Sequence, residues 1–426
     1  MPSSYEFWMT DDSGKRILEL KGYAFVSYSR SIFGYSTFQI GIPYNILNDS
    51  VYPIFEPDRR VEVWRSPKTG YPMRLEQIYL LRMPRIYTRK TDGIQIVELY
   101  GRGAIDLLRR RVIIQVSGSS FARKTGAIDD VMKEFVREQA LYGYATDENG
   151  MADNTRAYPV DLFTVQNNMS LGPSVTVNYP DRRMLDVLIE LREMSFQKNK
   201  EDAANSKIYF DVVPTKFRMF SVYVLQENGL FIEDEYGNSI LDEESVPYDA
   251  IIDNGLRFQT FANLYGTDRT NGIVFSDKNE NMEMLDYQKS HLEEVNAIIV
   301  KGLGRGDSRQ VSIVTDSKRI GASRWNRCEE FLDASGEPDQ SNLSDLGNAS
   351  LWKGEPVEEI NAVFLNTPGD KDAPRSLYGV DWDLGDLLPV EYADKMFDIE
   401  VSIIYVALNE NGEERITGRN RVDDNS

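Results

Sequence analysis

In 426 residues the sequence has one cysteine, Cys328, and one histidine, His291. A lone cysteine excludes a disulfide within the chain and a thiolate metal cluster. A lone histidine excludes zinc sites built from His and Cys, and leaves any Ser-His-Asp or Cys-His catalysis dependent on one imidazole. His291 sits in the polar run Ser290–Glu294 and reads as a solvated side chain; Cys328, between Arg327 and Glu329, reads as a packed one. No apolar run approaches the ~20 residues of a membrane span. The start, Met1–Glu6, lacks the basic and then apolar pattern of a secretion signal, so a soluble protein made in the cytoplasm is expected. Net positive charge is also missing: at -20 the chain is a poor candidate for wrapping nucleic acid, whose affinity comes from Lys and Arg on phosphates.

What is present is the composition of an ordinary folded protein, 41% hydrophobic and 27% charged, at a length that suggests two to four folded units. The charge is uneven. Residues 1–125 hold 19 Lys+Arg against 12 Asp+Glu, while the remainder holds 29 against 56. A basic N-terminal unit on an acidic body suits a subunit that docks unlike surfaces.

From Tyr5 to Tyr100 the sequence predicts strands separated by turns, among them Tyr23–Tyr28, Ser36–Ile40 and Gln77–Arg82, and a half-buried strand in Arg60–Arg65, where charged and apolar residues alternate. Ala104–Leu108 begins a short helix closed by Arg109, Arg110 and Arg111, a basic triplet that complements a helix C-terminus. A second helix carries Ile128, Val131, Met132, Phe135 and Val136 after a cap at Thr125; a third, from near Asp181, carries Met184, Leu185, Leu188 and Leu191. Residues 197–207 read as an exposed loop. β patterns return at 256–261, 297–300, 310–314 and 399–407. The interval 337–374 reads as a polar surface excursion with a short helix near Asn342–Leu346, and 421–426 as a flexible tail.

Few residues invite chemistry. Gly302-Leu303-Gly304-Arg305-Gly306 lacks the third glycine of a dinucleotide fingerprint and precedes a strand, so it is expected to close a hairpin. The acidic stretch Glu233–Glu244 does not have calcium-loop spacing. Asp381, Asp383 and Asp386 are the candidate acid/base carboxylates; on a strand the first two would share a face roughly 6.5 Å apart, a separation compatible with glycoside hydrolysis. A cell-wall hydrolase is therefore one alternative. A carbohydrate-binding receptor module, built on exposed stacking aromatics, is another.

Several ordered segments nevertheless resemble one family. Leu256-Arg257-Phe258, Tyr265-Gly266-Thr267-Asp268-Arg269-Thr270, Val274-Phe275-Ser276 and Glu280-Asn281-Met282 resemble the mid-chain signature of siphophage tail baseplate-hub proteins. Glu293–Gly304 resembles the strand that follows it, with Arg309 as its arginine, and Trp325–Ala334 and Tyr378–Leu387 resemble the next two elements. Asp11–Gly14, Leu107–Arg110 and Asp129–Val136 are similar to its N-terminal motifs, while Val380 departs from the pattern, standing where a polar or basic residue is expected.

The resemblance implies a mainly β fold with α+β insertions: two tube-like β-barrel domains and an inserted α/β region. The expected boundaries are 1–112 for the first barrel, 113–250 for the insertion, and 251–335 with 375–420 for the second barrel, interrupted by an acidic excursion at 336–374. It also implies a homotrimeric ring, located at the tail tip of the virion, between the hexameric tube and the threefold tip. The partners implied are the distal tail protein ring, tail-tip or fibre proteins and the C-terminus of the tape-measure protein, with DNA passing through the lumen without specific binding. No catalytic residue, cofactor or metal is implied; Arg109, Arg110 and Arg111 are the candidate interface residues.

Overall fold

The computed structural model of the chain describes residues 3–47, 56, 58–67, 71–114, 122–141, 154–179, 182–215, 218–219, 250–251, 255–304, 308–335, 340–364, 366–367, 375–392 and 395–419. The expected mainly β fold with α+β insertions is present. Seven N-terminal strands, β1 (Ser4–Thr10), β2 (Arg16–Glu19), β3 (Phe25–Ser31), β4 (Thr37–Pro43), β5 (Arg60–Ser66), β6 (Arg74–Thr88) and β7 (Gln95–Gly103), form one side of a large sheet. Val26 and Tyr28 of β3 and Phe38, Ile40 and Ile42 of β4 alternate onto one face, as period-two patterning requires, and are buried with Phe7 and Tyr79. Phe38 stacks on Tyr79 with ring centroids 5.2 Å apart.

The chain then leaves this sheet for an α/β unit. β8 (Ala122–Ala127) pairs with β10 (Ser174–Tyr179), and β9 (Phe163–Val165), β12 (Leu256–Ala262) and β11 (Ile208–Pro214) form a three-stranded sheet in that order. Helices α1 (Ile128–Val136) and α2 (Met184–Glu201) cover it, burying Val131, Phe135, Leu188 and Leu191 against Phe210 and Phe258. Asp129 and Lys133, both without solvent access, pair at 2.8 Å on α1.

After β13 (Met282–Ser290) comes a third, smaller unit. β14 (Ala297–Lys301) lies between β15 (Val311–Thr315) and β16 (Glu329–Asp333), with α3 (Gln340–Lys353) on one face through Leu343 and Leu351. β17 (Val357–Phe364) returns to the large sheet, β18 (Leu387–Tyr392) and β19 (Lys395–Glu400) form a hairpin, and β20 (Ile403–Asn409) and β21 (Glu414–Arg419) end the chain. The large sheet runs β13-β17-β21-β20-β3-β4-β7-β6-β5-β1-β2 and curls into a half-barrel. Strands from the two ends of the sequence are thus hydrogen-bonded side by side, Val406 opposite Tyr28.

Several expectations need correction. Arg60–Arg65 is buried on both faces, because the charged side is itself covered: Arg16 lies 4.2 Å over Trp8 and 3.7 Å from Glu62, which accepts a hydrogen bond from the Trp64 indole. α1 starts after Ala127, and Thr125 is a strand residue. α2 runs to Glu201, into the interval read as a loop. The expected strand at 399–407 is two strands, with Val401 and Ser402 between them. Ile113 packs with Leu108 and Ile128 in the α/β unit, and β12 pairs with β9 and β11, so the insertion exceeds the 113–250 interval at both ends. The interval 336–374 supplies a full helix and a sheet strand rather than a surface excursion. A short helix was expected near Asn342–Leu346; the polar composition hid its full length, since one narrow stripe is enough to pack on three strands.

Gly347 sits where α3 approaches that sheet most closely. A β-carbon there would lie 2.6 Å from Val314 Cγ2 and 2.9 Å from Val300 Cγ2. Alanine is the better helix former by about 1 kcal/mol, yet overpacking costs about 1–3 kcal/mol. Gly347→Ala is therefore expected to lower the denaturation midpoint more than Ser344→Ala, which removes one exposed hydroxyl contact with Ser312 at 3.1 Å; thermal or urea unfolding checks the order.

Candidate functional site

The densest polar constellation lies inside the curl. β5 reads Val61-Glu62-Val63-Trp64-Arg65, so Arg65 falls on the same face as Val61 and Val63, and its side chain has no exposed surface. Its partner is delivered by a β-bulge. Val63 opposes Gln77 and Trp64 opposes Leu75, which leaves Glu76 as the extra residue on β6. Regular alternation would send Glu76 outward with Ile78, which packs against the α/β unit; the bulge turns it inside instead. There Glu76 accepts a hydrogen bond from Tyr28 Oη at 2.7 Å and lies 3.7 Å from Arg65.

Arg65 is held from every side. Its Nη1 donates to the Tyr378 carbonyl at 2.8 Å, its Nε to Tyr5 Oη at 2.8 Å, and its Nη2 pairs with Glu414 at 3.2 Å, while the guanidinium stacks 4.6 Å over the Tyr378 ring. Tyr5 Oη in turn donates to Glu414. Beside it, Arg30 Nη1 donates to Tyr378 Oη at 2.8 Å and to Asp383 Oδ1 at 2.7 Å, and Arg74 Nη2 to Asp383 Oδ2 at 2.8 Å. Burial opposes the charged forms, but the facing carboxylates and phenols hold the Arg30 and Arg65 guanidiniums above their ordinary range. Burial likewise works to raise the Asp383 carboxyl, yet Arg30 and Arg74 prevail and hold it below the usual carboxylate range.

The three aspartates singled out from the sequence lie in one turn-rich loop, not on a strand: Tyr378 bridges Trp382 in parallel, with residues 379–381 in the turn between them. Asp381 is clamped by both nitrogens of Arg375, at 2.7 and 3.0 Å. Asp386 accepts from Thr267 N at 2.7 Å, Arg269 Nε at 2.6 Å and Asp383 N at 2.8 Å; burial pushes its carboxyl upward. Gly266 covers it so closely that a β-carbon there would lie 2.5 Å from Asp386 N and Oδ1. A sugar ring has no room at that carboxylate.

The remaining candidates are also engaged within the chain. Asp106 gathers Arg109 Nε at 3.1 Å, Arg110 Nε at 2.9 Å and Arg102 at 3.3 Å; burial would raise its carboxyl, but these arginines hold it low. Arg110 also reaches Asp58 at 2.7 Å, and Arg111 donates to the Arg156 carbonyl and lies 3.9 Å over the Tyr158 ring. His291 is largely exposed and bonds Glu294 at 2.7 Å; Cys328 N donates to Asn296 Oδ1. Lys301 and Val311 pair across a hairpin at the glycine run, whose residues 305–307 lie outside the described residues, as does the acidic stretch 233–244. Among the described residues no group of three or more His, Cys, Asp or Glu could hold a metal, and no helix is long and apolar enough to cross a membrane.

The motif segments converge in space: the Gly266–Arg269 turn is fastened by Asp386, and Tyr378 and Asp383 close the arginine cluster. The family model of the Siphovirus ReqiPepy6 Gp37-like protein matches residues 79–417. The chain belongs to that family. Among curated proteins none matches it by sequence.

Solved structures similar to this member of the Gp37-like family include the tail protein from Neisseria meningitidis MC58, at 12% identity over 99% of this chain and 97% of that one, with a TM-score of 0.50. The 43 kDa tail protein of prophage MuSo2 from Shewanella oneidensis is similar at 12% identity over 98% of each chain, TM-score 0.49. At such identities the meningococcal protein shows a shared fold. The resemblance to siphophage tail proteins drawn from the motifs holds.

Sequence reasoning had singled out Asp383 but missed Arg30, Arg65, Glu76 and Glu414. The one available signal was an arginine at a core-parity position of β5. Because its folded value is lowered, Asp383 contributes stability that is fully present above the ordinary carboxylate pKa of about 3.9 and is lost as pH falls through the folded value. Asp383→Asn is therefore expected to lower stability at neutral pH and to flatten its loss on acidification below about pH 5. Asp381→Asn, whose partner Arg375 is 46% exposed, is expected to cost less. Urea titrations at several pH values check both; equal losses for the two variants would contradict the assignment.

Proposed function

We propose that the chain is a non-enzymatic baseplate-hub subunit of a long non-contractile tail. Three copies form a ring at the tail tip that joins the hexameric tube to the threefold tip and surrounds the DNA channel. The observation that carries this reading is a curled sheet that takes strands from both ends of the chain, in a member of a tail-protein family. A curved sheet of this kind is a wall element: repeated around an axis, it encloses a lumen. The acidic body supports passage of DNA without adhesion, since a basic lining would bind it. The narrowest lumen is expected to be neutral or acidic. Arg109, Arg110 and Arg111 meet neighbouring proteins rather than DNA, through the parts of them that Asp106 and Tyr158 leave exposed.

The partners that fit this role are the distal tail protein ring above, tail-tip or fibre proteins below, and the tape-measure C-terminus within. A hydrolytic role is disfavoured by the site chemistry. Asp383 is kept ionised between two arginines and cannot serve as a general acid, and Asp386 lies under backbone.

Two outcomes follow. Quantitative mass spectrometry of purified virions is expected to find three copies of this chain per particle; six, or none, would contradict the hub reading. The purified protein is expected to leave peptidoglycan uncleaved, and turnover that disappears in Asp383→Asn would overturn the non-enzymatic assignment.

A further inference from the structure

Two exposed strand edges in this chain carry charges of opposite sign. β5 pairs with β6 only as far as Leu80, and Leu81 is held by Arg59. Beyond that point, among the described residues, Arg82–Thr88 is paired on one side only, to β7. Met83 is 53% exposed on this edge, and Ile86, Arg82 and Arg85 are also exposed. Pro84, which cannot donate to a ladder, is at home on such an edge. The second edge is β16, Glu329–Asp333, paired among the described residues only to β14. It exposes Phe331, at 52%, between Glu329, Glu330 and Asp333.

Each edge is therefore guarded by one sign of charge around an apolar centre. Like charges repel an identical edge, so neither strand is suited to pair with its own copy across a twofold axis. The unlike edges attract. A contact between different surfaces of identical chains is heterologous, and that type closes rings. At home Arg85 holds the buried Glu98 at 2.6 Å and Asp333 pairs with Arg309, while Arg82 with Asp58 at 3.0 Å and Arg327 with Glu329 at 2.7 Å form solvent-exposed pairs. Exposed pairs of this kind exchange readily when a better-shielded partner arrives.

We propose that in the assembled ring the Arg82–Thr88 edge of one copy docks along the Glu329–Asp333 edge of the next. Met83 and Arg85, which share one face of their strand, meet Phe331 and the acids flanking it, and Arg82 faces Glu330. This rests on the ring reading above and adds to it the surfaces that make the ring.

Light scattering of the full chain at low and moderate salt tests it, with folding of each variant checked by circular dichroism. Arg82→Glu with Arg85→Glu, or Glu329→Arg with Glu330→Arg, is expected to weaken association about tenfold or more, and all four changes in one chain are expected to restore it. A second measurement is independent of charge. In a Cys328→Ser background, chains with Met83→Cys and chains with Phe331→Cys are mixed under oxidation. A disulfide-linked dimer is expected in the mixture and in neither population alone. A wild-type trimer that is indifferent to both reversals and yields no cross-link overturns the docking and leaves the ring reading standing. A wild type that stays monomeric at all concentrations, with no cross-link, overturns both.

Discussion

Arg65 and Glu76 have no access to solvent, and the architecture around them answers to that constraint. An ionised group taken out of water costs several kcal/mol unless other charges and dipoles replace its hydration. The replacements come from distant parts of the sequence: Tyr5 on the first strand, Tyr28 on the third, the carbonyl of Tyr378 in the loop before β18, and Glu414 on the last strand. Satisfying one guanidinium therefore draws the two ends of the chain together, and the pairing of β3 with β20 follows the same path. The bulge that turns Glu76 inward belongs to this arrangement, since without it the arginine would face the interior with one carboxylate fewer.

The same constraint bears on function. A constellation of arginines, tyrosines and carboxylates in a cleft is often read as catalytic, but here each charged group is committed to a neighbour. Tyr378 and Trp382, both fully buried, fill the hollow of the curl, with their rings 5.0 Å apart. Such an interior fixes the position of a wall strand relative to its loop. Rigidity of that kind is what the proposed ring subunit needs from its core, and the proposal leaves recognition to the exposed edges and to surfaces such as the Arg109–Arg111 helix end.

Much of the fold class was legible because strand alternation in β3 and β4 and the helical stripes Ile128–Val136 and Met184–Leu191 are strong local signals. α3 was only partly legible, because Leu343 and Leu351 are separated by polar residues and Gly347 weakens any helix reading. The polar cluster was largely hidden. Arg65 and Arg30 stand at core-facing positions of β5 and β3, but their partners are up to 353 residues away, beyond the reach of any local pattern. The aspartates of 381–386 were found as a group, with a strand considered for the first two, and their binding partners stayed hidden, since neither the clamping Arg375 nor the covering Gly266 can be placed from local sequence. The family resemblance supplied what local chemistry could not, through segments whose meaning is their mutual contact: Gly266–Arg269 with Asp386, and Arg309 with Asp333.

The most direct test is an image reconstruction of the intact tail tip at a resolution that traces chains. The account predicts three copies in a closed ring, their curled sheets around a neutral or acidic channel. Density that places the chain on a side fibre, as single copies away from the axis, would contradict it.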